Sequence, residues 1–271
     1  MANKNYVKAG EYSIDALMVL AASREVNDHE VVFAGTGLPM IATMLAQSTH
    51  APNSVSVYEA GTIDNEVTAL PASVGGPRLT YKPSTCEGIY DVFGFLQRGH
   101  ADLGFLGGAE VDRYGNVNCT CIGDYFKPAS RLPGPGGNPD INSLSKRVVY
   151  IMNQEARRFS EHVSYATSPG WRVKKFNDDG SFEYVSRQEI NGTNFRGGPS
   201  AIITNMAIFR FKPDGEIHLD TLHPGFTVED VRKNIGFDMD LSLCKGETEL
   251  PTREELDTLY NVIDTEGLFL K

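Results

Sequence analysis

Short apolar runs alternate with amphipathic helical patterns in the first part of the chain, and this alternation constrains the fold most. Helical patterns cover residues 13–24 and 38–48, and apolar runs reach from Val31 to Phe33 and from Val55 to Tyr58. A third helical pattern, "EGIYDVFGFLQRGHA", then leads into the apolar run "DLGFLGGA". Strand, turn, helix and strand in this rhythm are typical of βαβ units. We therefore predict an α/β fold with an open, mostly parallel sheet and flanking helices.

The chain has the size and composition of a globular domain. It contains 271 residues, 41% of them hydrophobic, which is enough for a sizeable core. No apolar run approaches the roughly 20 residues that cross a bilayer, and "MANKNYVKAGEYSID" lacks the apolar segment of a secretory signal. Four cysteines are few for this length and suit a reducing compartment. We expect a cytoplasmic protein without a membrane partner.

The formal net charge is −10. Nucleic-acid binding depends on Lys and Arg side chains that neutralise phosphates, so we expect no nucleic-acid partner. A small anionic ligand stays compatible with this charge, because a few local donors can hold one.

Three of the predicted strands end in residues that could serve a ligand. Gly35-Thr36-Gly37 follows the first strand, Glu59 follows the second, and Gly107-Gly108 follows "DLGFL". The carboxyl ends of parallel strands share one edge of a sheet, where ligands gather in such folds. Bare glycine backbone there can stabilise an oxyanion or a phosphate. The alternative for the glycines is an ordinary turn, and for Glu59 it is neutralisation by an arginine or capping of a turn.

The rest of the chain gives weaker patterns. We predict strands in "RLTYK", "RVVYIMN" and "HVSYATSP", and a hairpin from "AIITNMAIFRF" to "EIHLDTL" through "KPDGE". Two closing helices begin at Thr227 and Thr252, each with an acidic capping-box partner three residues later. "KPASRLPGPGGNPDINS" is too rich in Pro and Gly for a regular element, so it is either a linker or a loop that covers a site.

The segment "VDRYGNVN" is typical of a tight turn between two strands. Asp112, Asn116 and Asn118 are residue types that tolerate turn geometry, and Gly115 can supply a positive φ. We predict a hairpin there that is locked by side-chain hydrogen bonds.

Several well-defined functional motifs are absent from the sequence. It contains no GxxxxGK[ST] phosphate loop, no HExxH helix and no GxSxG serine motif, and the glycines at 35 and 37 lack the third glycine of a dinucleotide fingerprint. Cys119 and Cys121 form the one close cysteine pair, without a Cys or His cluster nearby to complete a zinc site. We predict no metal site.

The combination of motifs resembles a known family. "GTGLP" after the first strand, "YEAG" after the second, and then "GGAEVDRYGNVN", "IGDY" and "TSPGW" are similar to the β subunit of family I CoA-transferases, most closely the glutaconate CoA-transferase type. The resemblance covers nearly the whole chain, which implies a single CoA-transferase β-subunit domain over residues 1–271. The block at 107–118 is its most specific part.

The resemblance implies a mechanism for Glu59. In this family a glutamate of the β subunit attacks an acyl-CoA thioester and becomes a glutamyl-CoA thioester, and Glu59 matches its position. Such chemistry requires a nucleophile and an oxyanion site, so we expect no metal or organic cofactor beyond CoA esters as substrates. We assign substrate and CoA binding to the strand-end residues, which are Gly35, Thr36, Gly37, Gly107, Gly108 and Ala109.

The resemblance also implies a partner. An α subunit of the same broad fold completes the active site in this family, and this chain shows one copy of the motifs. We expect an αβ heterodimer, with a heterotetramer or larger assembly left open, that acts on an acyl-CoA and a carboxylic acid. Two alternatives stand beside the transferase. One is a CoA-ester ring-opening hydrolase or a glutaconyl-CoA-type decarboxylase of the same architecture, and the other is a non-catalytic partner subunit.

Overall fold

The computed structural model describes residues 5–66, 69–190 and 195–270. The helices are α1 Ile14–Ser23, α2 Leu38–Ser48, α3 Ile89–Gln97, α4 Asn138–Leu144, α5 Val228–Lys233 and α6 Arg253–Thr258. The strands are β1 Val31–Ala34, β2 Val55–Tyr58, β3 Thr62–Ile63, β4 Thr85–Cys86, β5 Leu103–Leu106, β6 Glu110–Val111, β7 Val117–Asn118, β8 Cys121–Gly123, β9 Pro128–Arg131, β10 Arg147–Ile151, β11 Arg172–Phe176, β12 Phe182–Ser186, β13 Pro199–Ile203, β14 Ala207–Phe211 and β15 Ile217–Leu222.

A nine-stranded sheet organises the chain, with strand order β15-β14-β13-β10-β5-β1-β2-β3-β4. The five central strands, β13, β10, β5, β1 and β2, run parallel. Two strands at each edge join antiparallel. The predicted α/β class with a mostly parallel sheet and flanking helices is confirmed, and hairpins extend the sheet on both sides.

The chain changes direction in the sheet at β1. From β1 it passes through α2 to β2 on one side, and it later returns to β5 on the other side. Adjacent parallel strands with outward connections in opposite directions leave a crevice at their carboxyl ends. The turns after β1, β2 and β5 therefore meet at one edge of the sheet.

Each face of the sheet carries its own hydrophobic core. Side chains alternate across a strand, so Val32 and Ala34 of β1 pack with α1 and α2, whereas Phe33 faces the opposite core. Phe33 meets Phe93 of α3 there, with ring centroids 5.9 Å apart in an edge-to-face arrangement. Strands buried on both faces are expected to be almost continuously apolar, as β1 and β5 are.

Side-chain caps set the starts of three helices. Ser13 accepts a hydrogen bond from the Ala16 amide at the start of α1. Thr227 and Thr252 form the predicted capping boxes with Asp230 and Glu255 at α5 and α6. These contacts satisfy amides that a helix leaves unpaired at its first turn, which is why the sequence locates these starts well.

Some sequence predictions are wrong. "RLTYK" forms no strand, because residues 77–80 turn as a 3₁₀ helix that starts at a proline. "HVSYATSP" is not a strand, although Ser168 bridges to Val117. The Pro/Gly-rich segment contains β9 and α4 at its two ends. The hairpin of β11 and β12 has no counterpart among the sequence predictions.

No helix in the described ranges is long and apolar enough to cross a membrane.

A buried histidine ties the far edge of the sheet to the C-terminal part of the chain. His223 follows β15 and is fully buried. Its Nδ1 lies 2.9 Å from the Thr248 hydroxyl, and its Nε2 lies 2.8 Å from the Thr204 carbonyl oxygen. A carbonyl accepts, so Nε2 donates and the ring is neutral with Nδ1 as acceptor. Burial lowers the pKa of His223 to about 4.

We expect His223 to make folding stability pH-dependent. The unfolded histidine gains a proton near its ordinary pKa of 6.5, whereas the folded one resists protonation until about pH 4. The contribution of His223 to the free energy of unfolding is thus complete above pH 6.5. It falls by about 3 kcal/mol at most as the pH drops from 6.5 to about 4. Urea unfolding should show His223→Gln to be less stable at pH 7.5, with the deficit shrinking toward pH 4.5. A deficit that is constant with pH would contradict this assignment.

Candidate functional site

Glu59 lies in the turn directly after β2 and is half-buried. No hydrogen bond or ion pair to its carboxylate is found within the described ranges. The two alternatives that the sequence left open, neutralisation by an arginine and capping of a turn, therefore receive no support from these residues. The oxygens of a carboxylate that has no fixed partner, at the carboxyl edge of a parallel sheet, are available to interact with a ligand.

Gly61 shapes the turn that presents Glu59. Its φ of 117° belongs to the left-handed region that glycine adopts readily. The backbone of Glu87 crosses so closely that a Cβ at Gly61 would stand 1.9 Å from the Glu87 carbonyl oxygen. The Glu87 amide also donates to the Gly61 carbonyl at 2.9 Å. Gly61 must therefore be a glycine, because the backbone of Glu87 leaves no space for a side chain there.

Residues 132–137 are here called the glycine loop, and its last two glycines lie against the Glu59 carboxylate. A Cβ built on Gly137 would stand 3.4 Å from Glu59 Cδ, and one on Gly136 would stand 3.8 Å from Oε1. The same Cβ on Gly137 would come within 2.4 Å of the Phe93 ring. Gly137 is thus wedged between an aromatic ring and the carboxylate. Of the two alternatives for the Pro/Gly-rich segment, its contact with Glu59 favours a loop beside the predicted site.

The backbone of the turn after β1 packs closely against the backbone of β5. The Gly35 amide donates to the Phe105 carbonyl of β5 at 3.1 Å, and a Cβ on Gly35 would stand 2.9 Å from that oxygen. Gly37 precedes α2 with a φ of 87°. The exposed Thr36 accepts a hydrogen bond from the Val74 amide at 3.3 Å. Close packing and turn geometry account for both glycines, and Thr36 faces the edge of the sheet.

The turn after β5 contains one position that packing does not explain. A Cβ on Gly108 would stand 2.5 Å from the Val117 side chain, so close packing requires that glycine. The Ala109 amide donates to the Asn118 carbonyl at 2.9 Å. Gly107 is exposed, and a Cβ there would meet nothing nearer than the Ile151 carbonyl oxygen at 3.8 Å. The amides of Gly107 and Gly108 donate no hydrogen bond within the described ranges.

A thiol lies beside this turn. Cys119 Sγ is 3.5 Å from the Gly107 carbonyl oxygen, and burial raises the pKa of Cys119 to about 11. A thiol with such a pKa stays protonated near neutral pH and is a poor nucleophile. Cys121 is buried in β8. Across the described ranges, no three His, Cys, Asp or Glu side chains come together as a metal-binding group.

The hairpin of β6 and β7 is fixed by its buried polar side chains, as the sequence predicts. The Asp112 carboxylate accepts from the Tyr114 and Asn116 amides at 2.9 and 3.1 Å, and from the Asn116 side chain. Asn118 Nδ2 donates to Glu110 and to the Cys121 carbonyl. Burial raises the pKa of Asp112 to about 6, although these donors oppose the shift. These residues hold the turn after β5 in place.

A cavity of about 580 Å³ lies elsewhere, between the β11–β12 hairpin and residues 163–169. Tyr184, Val173 and Phe176 are among its lining side chains, and none of the predicted site residues belongs to the lining. We therefore place the candidate site at the strand ends around Glu59.

Sequence reasoning did not find Phe93, Gly136 or Gly137 as neighbours of Glu59. The available signal was the density of proline and glycine over residues 127–143, which raised a covering loop as one of two alternatives. Which residue the loop would touch depends on contacts between distant parts of the chain.

Comparison with known proteins gives a consistent result. The family model described as Coenzyme A transferase matches residues 17–234. The chain is 38% identical over 250 residues to the B subunit of 3-oxoadipate CoA-transferase of Pseudomonas knackmussii, covering 92% of each chain. It is 30% identical over 266 residues to the B subunit of glutaconate CoA-transferase of Acidaminococcus fermentans, covering 96% of each. The crystal structure of glutaconate coenzyme A-transferase from that organism matches with a TM-score of 0.86 at 29% identity, covering 98% of this chain and 99% of the other.

A relative that is named for a different activity also matches. The cholesterol ring-cleaving hydrolase IpdB subunit of Mycobacterium tuberculosis is 28% identical over 238 residues, covering 86% of each chain.

The two glycines after β5 should respond differently to a methyl group. We expect Gly108→Ala to lower stability by about 1–3 kcal/mol, because the new Cβ would overlap Val117. Gly107→Ala should leave stability within about 0.5 kcal/mol of the parent, because the nearest atom to its Cβ, the Ile151 carbonyl oxygen, would stand at an ordinary contact distance of 3.8 Å. Chemical unfolding of both variants measures the contrast. Equal losses would show that packing around Gly107 is as tight as around Gly108.

Proposed function

Because the chain belongs to the coenzyme A transferase family and its close relatives are named as B subunits of CoA-transferases, we propose that it carries the nucleophile of such an enzyme on Glu59. The observation that carries the proposal is the half-buried Glu59 carboxylate, without a partner within the described ranges, at the end of β2 and under the glycine loop. The substrates are an acyl-CoA and a carboxylic acid, and no metal or organic cofactor takes part. A cytoplasmic location belongs to the same proposal.

The first half-reaction loads CoA onto the enzyme. An oxygen of the Glu59 carboxylate attacks the thioester carbonyl carbon, and the tetrahedral oxyanion expels CoA thiolate to leave a mixed anhydride. The thiolate then attacks the Glu59 carbonyl of this anhydride. The C–O bond breaks, the donor leaves as a carboxylate, and a glutamyl-CoA thioester remains. No proton is gained or lost, so the cycle requires no general acid or base.

The second half-reaction runs the same steps toward the acceptor. The acceptor carboxylate attacks the glutamyl thioester and releases CoA thiolate, which gives a second anhydride. The thiolate attacks the acceptor carbonyl, the new acyl-CoA forms, and the Glu59 carboxylate is regenerated. Both the anhydride and the thioester conserve the energy of the original bond, so the enzyme must keep water away from them.

The surroundings of Glu59 suit these requirements. Gly137 lies against the carboxyl carbon, and its contact contributes to the partial burial of Glu59. The amides of Gly107 and Gly108 at the end of β5, which is separated from β2 by β1, donate no hydrogen bond within the described ranges and are candidate donors to the substrate. Cys119 is the other nucleophile nearby, and its raised pKa argues against it.

The partner forms part of the proposal. The transferase relatives are named as B subunits, which implies a second subunit in those enzymes. We propose that this chain pairs with an α subunit as an αβ unit and that the acid-binding pocket is completed by that subunit.

The relative named as a ring-cleaving hydrolase supports a second candidate function, a CoA-ester hydrolase. In a hydrolase of this architecture, water would attack and Glu59 would form no covalent intermediate. The two functions therefore differ in whether Glu59 becomes a thioester.

Trapping of the thioester distinguishes these functions. The protein, co-purified with its α subunit, is incubated with succinyl-CoA or acetyl-CoA without an acceptor and then treated with borohydride. We expect reduction to leave a mass change on the peptide that contains Glu59, and Glu59→Ala to abolish both the label and CoA transfer to 3-oxoadipate or glutaconate. The last two acids are those in the names of the relatives.

Glu87→Gln is the matched control. Glu87 is an exposed glutamate beside the same turn, and its carboxylate accepts from the Thr85 hydroxyl at 2.6 Å. This variant should keep the label. Full transfer by Glu59→Ala would show that Glu59 is not the nucleophile. Consumption of acyl-CoA with a broken carbon–carbon bond and no label would replace the transferase by the hydrolase.

Activity should depend on the second subunit. We expect the isolated chain to transfer CoA negligibly and to gain activity when the α subunit is added, because one half of the acid-binding pocket is missing. Size-exclusion chromatography followed by assay of each fraction measures this. Full turnover by fractions that contain the chain alone would contradict the need for two subunits.

A further inference from the structure

Asn138 connects the glycine loop to the end of β5. It is the first residue of α4 and directly follows Gly137, which lies against Glu59. Its Nδ2 donates to the Gly107 carbonyl at 3.2 Å and reaches Cys119 Sγ at 3.5 Å. Its Oδ1 accepts from the Ser168 hydroxyl at 2.5 Å. One amide side chain thus ties the end of the glycine loop, which contacts the proposed nucleophile, to Gly107, Cys119 and Ser168.

The bond to Gly107 has a consequence for the next amide. A peptide unit is planar and trans, so its C=O and N–H point in opposite directions. A fixed Gly107 carbonyl therefore fixes the direction of the Gly108 N–H, which donates no hydrogen bond within the described ranges. Packing of Gly108 against Val117 keeps this backbone from shifting toward the hairpin.

We infer, given the proposed transferase, that Asn138 is a positioning residue for the reaction. It holds the Gly107–Gly108 peptide and Gly137 in a fixed relation to Glu59 through one side chain. It touches neither substrate nor the reacting atoms in this role. Its contribution is to keep the glycine loop against the Glu59 carboxyl group, at the geometry that attack and water exclusion require.

The structure offers a matched control in the same helix. Asn142 lies one turn further along α4, is fully buried, and also binds the segment around Ser168. Its Nδ2 donates to the Pro169 carbonyl at 2.8 Å, and its Oδ1 accepts from the Tyr150 hydroxyl at 2.9 Å. Asn142 has no contact with Gly107 or with the Glu59 side of the loop among these bonds. It shares the stabilising role of Asn138 without the positioning role.

The experiment compares Asn138→Ala and Asn142→Ala in the complex with the α subunit. Five quantities are measured for each variant: Tm, kcat and KM for CoA transfer, the rate at which succinyl-CoA labels Glu59, and the ratio of acyl-CoA hydrolysis to transfer. We expect Asn138→Ala to lower kcat and the labelling rate about 10- to 100-fold with KM changed less than about threefold, and to raise the hydrolysis ratio. Asn142→Ala should lower Tm at least as much, with kcat and the hydrolysis ratio within about threefold of the parent.

The outcomes separate the two proposals. Parental labelling and an unchanged hydrolysis ratio in Asn138→Ala would overturn the positioning role while the transferase stands. Equal losses of kcat in both variants, in proportion to Tm, would likewise reduce Asn138 to a stabilising residue. Failure of the parent protein itself to become labelled would overturn the proposed function.

Asn138→Asp adds a test of the donor. The aspartate keeps an acceptor for Ser168 and loses the amide that binds Gly107. It should show the same kinetic defect as Asn138→Ala, and parental kinetics would overturn the inference.

Discussion

The pairing of β1 with β2 on one side and β5 on the other determines where chemistry can occur in this molecule. These strands run parallel and in register, so the residues that follow Ala34, Tyr58 and Leu106 emerge side by side. Each strand is buried on both faces, and a slip by one residue would move its apolar side chains to the wrong core. The hydrophobic cores that stabilise the sheet therefore also fix Glu59 relative to the glycine turns.

Close backbone contacts then refine this arrangement. The crossing of Glu87 at Gly61 sets the direction of the chain after Glu59, and the contact of Gly35 with Phe105 joins the ends of β1 and β5. Gly137 is packed between the Phe93 ring and the Glu59 carboxylate, where a Cβ would overlap the ring. Glycine is needed at these three positions for separate steric reasons. In contrast, Gly107 is exposed, and a Cβ there would meet only the Ile151 carbonyl oxygen at an ordinary contact distance of 3.8 Å, so steric crowding does not require a glycine at this position.

Sequence patterns predict the central elements because their determinants are local. The N-cap serine at residue 13, the capping boxes at Thr227 and Thr252, and the continuous apolar strands identify elements that the structure contains. The misassigned strand "RLTYK" shows the limit, because a proline immediately before it favours a turn over its apolar pattern. The position of Glu59 at a strand end was also predictable, but its surroundings were not. Gly137 is far from Glu59 in sequence, so their contact has no local signal. The sequence also does not distinguish Asn138 from other loop residues, because its three hydrogen-bonding partners lie in distant parts of the chain.

The central claim is that the Glu59 carboxylate becomes part of an anhydride during turnover, and oxygen exchange tests this most directly. The complex is supplied with succinyl-CoA and an acceptor acid whose carboxylate carries oxygen-18. When the acceptor attacks the glutamyl thioester, one of its labelled oxygens becomes the bridging atom of the anhydride, and that atom stays on Glu59 after the new acyl-CoA leaves. The account predicts oxygen-18 in the Glu59 carboxylate and in no other carboxylate of the protein. CoA transfer with no label on Glu59 would contradict it.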